Sequence, residues 1–277
     1  MKNYVFAAIL AATAAAPAFA QEEATSPFTV SGSVGLVTDY RFRGVSQTDQ
    51  GMAVQGGFSV SHESGVYVGT WGSNLAGWGA FGGSNMELDI YAGYKTAVGA
   101  ATIDVGATYY FYPSGLDNTQ FIEPYVKVGT ALGPVSATVG VAYAPEQEAL
   151  GRWYFNDVSY AAGTPDAPGA KSDNLYVWGD LAGGVPNTPL TLKGHLGYSK
   201  GNSGLGPNGT SIAPTGKYWD WSLGADLALG PVVLGISYVD TDISDAERQY
   251  IAGSFLNYRD GGNIAGSTVV GSITVAF

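Results

Sequence analysis

Residues 219–229 alternate between two chemistries without a break. Trp219, Trp221, Leu223, Ala225, Leu227 and Leu229 hold one parity, and Asp220, Ser222, Gly224, Asp226 and Ala228 hold the other. Successive side chains of a β-strand point to opposite faces, so this period sets a large apolar face against a small polar one. Residues 86–95 repeat the plan, with Met86, Leu88, Ile90, Ala92 and Tyr94 against Glu87, Asp89, Tyr91, Gly93 and Lys95. Both runs are about ten residues long, the length a tilted strand needs to cross a bilayer. Lipid outside and water inside would satisfy both faces.

The same pattern predicts twelve strands, at 28–40, 51–62, 65–74, 85–96, 100–112, 120–131, 135–145, 174–184, 189–200, 217–229, 232–242 and 267–277. Their connections sort by length. Short turns follow the even-numbered strands, at Glu63-Ser64, Ala97-Val98-Gly99, Leu132-Gly133-Pro134, Val185 to Thr188 and Gly230-Pro231. Long loops follow the odd-numbered ones, the longest spanning 146–173 and 243–266. Bacterial outer-membrane barrels follow this plan, with the short turns in the periplasm. A soluble sandwich has no reason to sort its connections. The expected fold class is all-β: a transmembrane antiparallel β-barrel of about 12 strands, with short periplasmic turns and long extracellular loops. Twelve strands make a barrel wider than the eight-stranded kind that side chains fill, so there is room for a wet lumen.

Composition agrees. Charged residues make up 13% of the chain, against roughly 25% in soluble domains. After residue 20, no apolar run reaches the roughly 18 residues of a membrane-spanning helix. A net charge of −11 offers no basic face for phosphates and argues against nucleic acid. The N-terminus has the form of a secretory signal: Lys2, an apolar stretch from Tyr4 to Ala16, then Ala18-Phe19-Ala20 as a cleavage site. Residues 1–20 are expected to be removed, leaving 21–277 as one barrel domain in the outer membrane of a Gram-negative bacterium. With no Cys in the chain, stability has to come from a source other than disulfides, such as a closed ladder. The last strand alternates to the final residue, Phe277, and is the segment expected to engage the barrel-assembly machinery. Tyr40, Trp71, Tyr94, Tyr109, Tyr112, Trp178, Trp219 and Tyr238 gather near strand ends, where aromatic girdles meet the membrane interfaces.

The stretch Thr38 to Gly44, TDYRFRG, breaks an uncharged run. Parity carried along strand one places Phe28, Val30, Val34 and Leu36 outside, followed by Tyr40 and Phe42. Ser31, Ser33 and Gly35 then point inward, followed by Asp39, Arg41 and Arg43. Three charges at the outer mouth form either a selectivity constriction or an ion cluster that fixes the rim.

Residues 30–75, VSGSVGLVTDYRFRG through Gln55-Gly56 to the strand ending near Trp71, resemble the start of the TorF-family porins. The resemblance is specific over 30–75 and looser beyond. It implies an outer-membrane barrel with a pore function, and it supplies neither a substrate nor site residues.

Parity assigns Gln55, Glu87, Asp89, Lys95, Asp104, Glu123, Lys127, Asp180, Lys193, His195, Asp220 and Asp226 to the lumen wall. The acids among them outnumber the lysines seven to three, which predicts weak cation preference. A lumen-filling ion network without throughput would use the same residues. For catalysis the chain offers only His62, facing lipid near a turn, and His195, facing inward in mid-strand. No Gly-x-Ser-x-Gly elbow or H-E-x-x-H helix occurs. The Gly-rich stretch 76–85 lacks the spacing and the Lys of a phosphate loop, and Asp240 to Glu247 lacks the Gly of a calcium loop. Asp245 to Leu256 has the pattern of a short helix that would narrow the pore if folded inward. The function expected is passive diffusion of small hydrophilic solutes, without enzyme chemistry or cofactor. A structural or adhesive barrel with a blocked lumen is the alternative, and a lipid-modifying barrel enzyme is a more distant one.

Overall fold

In hydrocarbon, an unpaired backbone N–H or C=O costs several kcal/mol, so a membrane-crossing sheet has to close on itself. The computed structural model, which describes residues 26–76, 83–209, 211–250 and 261–277, shows that closure. Twelve antiparallel strands form one barrel: β1 (Phe28–Val37), β4 (Ala53–His62), β5 (Val66–Asn74), β6 (Met86–Val98), β7 (Ala101–Phe111), β8 (Phe121–Leu132), β9 (Val135–Gln147), β10 (Ser172–Gly184), β11 (Leu190–Lys200), β12 (Lys217–Leu229), β13 (Val232–Thr241) and β14 (Thr268–Ala276). Each pairs with its sequence neighbour in the barrel, and β1 also pairs with β14, from Ser33 opposite Ala276 to Val37 opposite Ser272. The last residue completes the seam. Gly32 N–H donates to Phe277 O at 2.8 Å, and Phe277 N–H donates to Gly32 O at 2.9 Å.

All twelve expected strands are present. The first is shorter than expected, ending at Val37 rather than at residue 40. Beyond it the chain turns into the barrel and forms a small hairpin, β2 (Arg41–Phe42) with β3 (Val45–Ser46). The turn is made by Arg43 and Gly44 at φ of 48° and 80°, followed by Asp49 and Gln50 at 56° and 60°. These are left-handed conformations that a continuing strand does not adopt.

Among the described residues, the loops carry little helix. A 3-10 turn covers Glu148–Leu150. Helix α1 (Asp157–Ala161) is capped by Asn156, whose side chain accepts from the N–H groups of Val158 and Ser159. Helix α2 (Asp245–Tyr250) starts where a helix was expected; positions 251–256 of that segment, like the signal sequence, lie outside the described residues.

The register sorts the side chains. Val34 of β1 lies opposite Gly56 and Val275, and Ile236 of β13 lies opposite Ala225. Leu223, Ile236, Val139 and Val68, among many others, form an exposed apolar exterior. Tyr94, Tyr109, Trp219 and Tyr238 lie on it, as an interfacial girdle requires. The other four rings assigned to that girdle do not. Tyr40 and Tyr112 are buried inside, Trp71 packs against Tyr40, and Trp178 packs against Tyr176. Nearness to a strand end does not decide a face; parity does, and Trp71 and Trp178 have the inward parity.

On the inside, large rings fold flat onto glycines of neighbouring strands. Trp178 lies across Gly140 of β9, and Tyr125 lies across Gly106 of β7; a Cβ at either glycine would sit inside van der Waals contact with the ring. Small residues therefore hold the aromatics against the wall. Gly140→Ala is expected to lift the indole out of its seat and to destabilise the refolded barrel by roughly 1–3 kcal/mol, the usual cost of overpacking. A lower urea midpoint, followed by tryptophan fluorescence in lipid vesicles, would show it.

Candidate functional site

The hairpin reaches across the lumen at the end where the long loops emerge. Asp39 anchors it. Its Oδ1 accepts from Ser46 Oγ at 2.5 Å, and its Oδ2 accepts from Arg41 Nε at 2.7 Å. Arg41 Nη1 donates to the carbonyls of Ile264 at 2.8 Å and Gly266 at 3.1 Å, in the last long loop. Ser46 N–H donates to the same Ile264 carbonyl at 2.9 Å. Asp39 and Arg41 therefore pin the hairpin to itself and to residues 264–266. Tyr40 donates to Glu87 Oε1 of β6 at 2.8 Å. Burial and the nearby Glu87 and Asp89 carboxylates hold the Tyr40 pKa well above its ordinary value, so its hydroxyl stays a donor.

Arg43 goes furthest. Its Nη2 donates to both oxygens of Glu123 on β8, at 2.8 and 2.7 Å. Its guanidinium lies 4.0 Å over the Tyr176 ring of β10 and 4.8 Å over Phe42. Around the closed barrel, β9 stands six strands from β1 in either direction. Its neighbours β8 and β10 therefore flank the wall opposite β1, and the hairpin spans the lumen. Burial alone would lower the Arg43 pKa; the Glu123 carboxylate outweighs it and raises the pKa, keeping the guanidinium charged.

This corrects one expectation. Tyr40 and Phe42 were placed outside at the membrane interface. Both are inside: Tyr40 meets Trp71 edge-on with centroids 5.4 Å apart, and Phe42 meets Tyr110 edge-on at 5.9 Å. Parity holds only while the strand continues, and the strand stops at Val37. Asp39, Arg41 and Arg43 do point into the barrel, as parts of a packed hairpin.

The twelve wall residues chosen by parity all lie on the inward face of the register, and most meet one another. Lys127 of β8 lies 3.2 Å from Asp104 of β7, and Lys95 of β6 stands beside Asp104 in register. Lys193 of β11 lies 2.7 Å from Asp226 of β12. His195 Nδ1 lies 2.6 Å from Asp180 Oδ1; its Nε2 is 2.9 Å from the Tyr176 hydroxyl and 3.1 Å from Asp220 Oδ1. Gln55 donates to Ser73 at 3.4 Å. Glu87 and Asp89 join Glu123 at the hairpin. Three other partners were missed: Tyr67, Tyr125 and Tyr176. Tyr67 donates to Asp104 at 2.5 Å and touches the Tyr125 hydroxyl at 2.6 Å. Their inward parity was visible; that they would bond to the charges was not, because those contacts depend on which strands curve together.

Burial divides the lumen by depth. Near the loops Glu87 is 1% exposed and Glu123 3%. Nearer the short turns, the side chains of Asp180 and His195 are 42% and 26% exposed. The loop end is packed like a soluble core, with Tyr110 stacked on Phe121 at 4.4 Å and Tyr112 buried beside them. The turn end is polar and solvent-exposed, and the inward residues of β1, β4 and β14 there are Ser and Thr with Gly57 and Ala276. As a catalytic base His195 is poorly placed, since acidic groups already occupy both of its ring nitrogens. Ser222, opposite it in register, receives neither. His62 sits at the end of β4 beside Phe28, bonded to Ser64 at 2.8 Å.

A transmembrane barrel with an inserted hairpin is the class these features define. The chain belongs to the family described as a bacterial protein of unknown function, Gcw_chp, whose model matches residues 21–262. No curated protein matches it. Among solved structures, a porin aligns at 9% identity over 90% of this chain and 100% of its own, with a TM-score of 0.42. An anion-selective porin from Comamonas acidovorans aligns at 10% identity over 90% and 98%, with a TM-score of 0.36. Salmonella typhi OmpF aligns at 10% identity over 90% and 97%, with a TM-score of 0.38. Likenesses this distant carry no argument about what passes the lumen.

Arg43→Ala leaves Glu123 buried without its cation, so a loss of roughly 3–5 kcal/mol of unfolding free energy is expected. The double variant Arg43→Ala, Glu123→Gln should recover part of it. A double-mutant cycle by urea titration in vesicles checks this; strictly additive effects would mean the two side chains do not couple.

Proposed function

We propose that this barrel resides in a bacterial outer membrane and serves as a narrowed channel for passive diffusion of small hydrophilic solutes. One observation carries the proposal: a polar lumen, solvent-exposed at the turn end, runs up to a hairpin held against the far wall chiefly by Arg43. The sorted turns and loops put the turn end in the periplasm and the loops outside. Residues 1–20 act as the signal that exports the chain, and the strand ending in Phe277 is what the assembly machinery recognises. The resemblance of residues 30–75 to TorF-family porins supports the same function. Transport here is diffusion and involves no covalent step.

Selectivity follows from the wall charges. Glu123, Asp104 and Asp226 each pair with Arg43, Lys127 and Lys193 in turn. Glu87, Asp89, Asp180 and Asp220 remain, against Lys95, which stands beside Asp104, and His195, which lies between Asp180 and Asp220. The surplus is negative and favours cations weakly.

The packed aromatic loop end favours a second reading, in which the lumen stays shut and the outer loops bind a partner. Planar-bilayer recording of the refolded protein under a KCl gradient separates the two. Discrete steps with a cation-leaning reversal potential are expected, and Arg43→Ala should raise the conductance and shift the reversal potential further toward cations. A barrel that inserts and stays silent, in both wild type and Arg43→Ala, rejects the channel.

A further inference from the structure

Trp178 lies across Gly140 and stacks beside Tyr176, with centroids 5.4 Å apart and planes 19° apart. The indole is pressed against the wall at Gly140 and flanked by the Tyr176 ring, and the residue is only half-buried. Two positions further along the same inward face stands Asp180, roughly 6.6 Å along the strand at the usual rise per residue. Asp180 gives one carboxylate oxygen to His195 Nδ1 at 2.6 Å and keeps a side chain 42% exposed. His195 is held from its other nitrogen by Asp220 and Tyr176. This network fixes a carboxylate and an aromatic face in one orientation, at the solvent-exposed depth of the lumen.

We infer that this corner is a binding site for neutral sugars. A pyranose ring has an apolar C–H face that seats on an indole and a rim of hydroxyls that donate to a carboxylate, and the spacing of Trp178 and Asp180 matches roughly the breadth of one such ring. Binding sites for small molecules commonly combine one apolar wall with a few fixed polar groups. His195 takes one oxygen of Asp180 and leaves the exposed remainder of the carboxylate to accept from sugar hydroxyls. Lys193 on the neighbouring strand β11 is engaged by Asp226, and Arg43, which lies over Tyr176, is engaged by Glu123, so both nearby cations are already paired. The solute class is thus a soluble mono- or oligosaccharide. The inference deepens the channel reading and rests on it for the route by which the sugar arrives.

The test is isothermal titration of the detergent-solubilised full barrel with neutral gluco-, galacto- and xylo-oligosaccharides, with choline as the cationic probe, beside bilayer recordings of the same preparation. Saturable heat with at least one sugar is expected. Trp178→Ala should weaken it about tenfold or more, with Trp178→Phe weakening it less, and Asp180→Asn should weaken it several-fold. Trp178→Phe keeps a ring over Gly140, so it folds if the alanine variant does not. No heat from any sugar, heat from choline alone, or full affinity in Trp178→Phe together with Asp180→Asn overturns the site. Current without sugar heat rejects the sugar and leaves the channel standing. Sugar heat without current does the reverse.

Discussion

Everything in this molecule depends on a closed hydrogen-bonded ladder. A sheet in hydrocarbon cannot leave an edge, and the final bond pair, between Gly32 and Phe277, removes it. Closure then dictates the rest of the chemistry. One parity of each strand faces lipid and is apolar; the other faces a confined interior and is free to be polar. The low charge content of the chain follows, because half of every strand is barred from carrying any.

The interior is where this barrel departs from an empty tube. The segment after β1 does not continue as wall. It folds inward, places Tyr40 and Phe42 among the lumen aromatics, and sends Arg43 to Glu123 on the far side. The result is two zones in one lumen, a packed cap beneath the loops and a wet chamber toward the turns. In the chamber, the large rings are pressed against glycines, so they line the space without filling it. The ion pairs run between neighbouring strands, where the register brings opposite charges side by side. A buried pair such as Arg43–Glu123 contributes little net stability compared with an apolar contact of the same size, but it fixes where the hairpin docks.

Much of the fold and part of the site were legible in the residues themselves. Strand 86–95 and strand 219–229 display their two faces openly, and the wall charges from Glu87 to Asp226 fall on the inward parity. The failures are equally specific. Tyr40 and Phe42 were misplaced because alternation was carried past the end of a strand. Trp71, Tyr112 and Trp178 were given to the membrane interface on position alone, against the side that β5, β7 and β10 turn inward.

The sequence by itself determined the number of strands, their faces, the sorting of turns and loops, and the inward set of charges. These are local properties, written in a two-residue period and in the length of each connection. Only the tertiary structure decided that Arg43 meets Glu123, 80 positions away, that His195 stands between Asp180 and Asp220, and that Trp178 rests on Gly140. Those contacts depend on which strands face each other across the lumen and how far each is staggered. Curvature and register of the closed sheet set both, and neither is encoded in the alternation of any one strand.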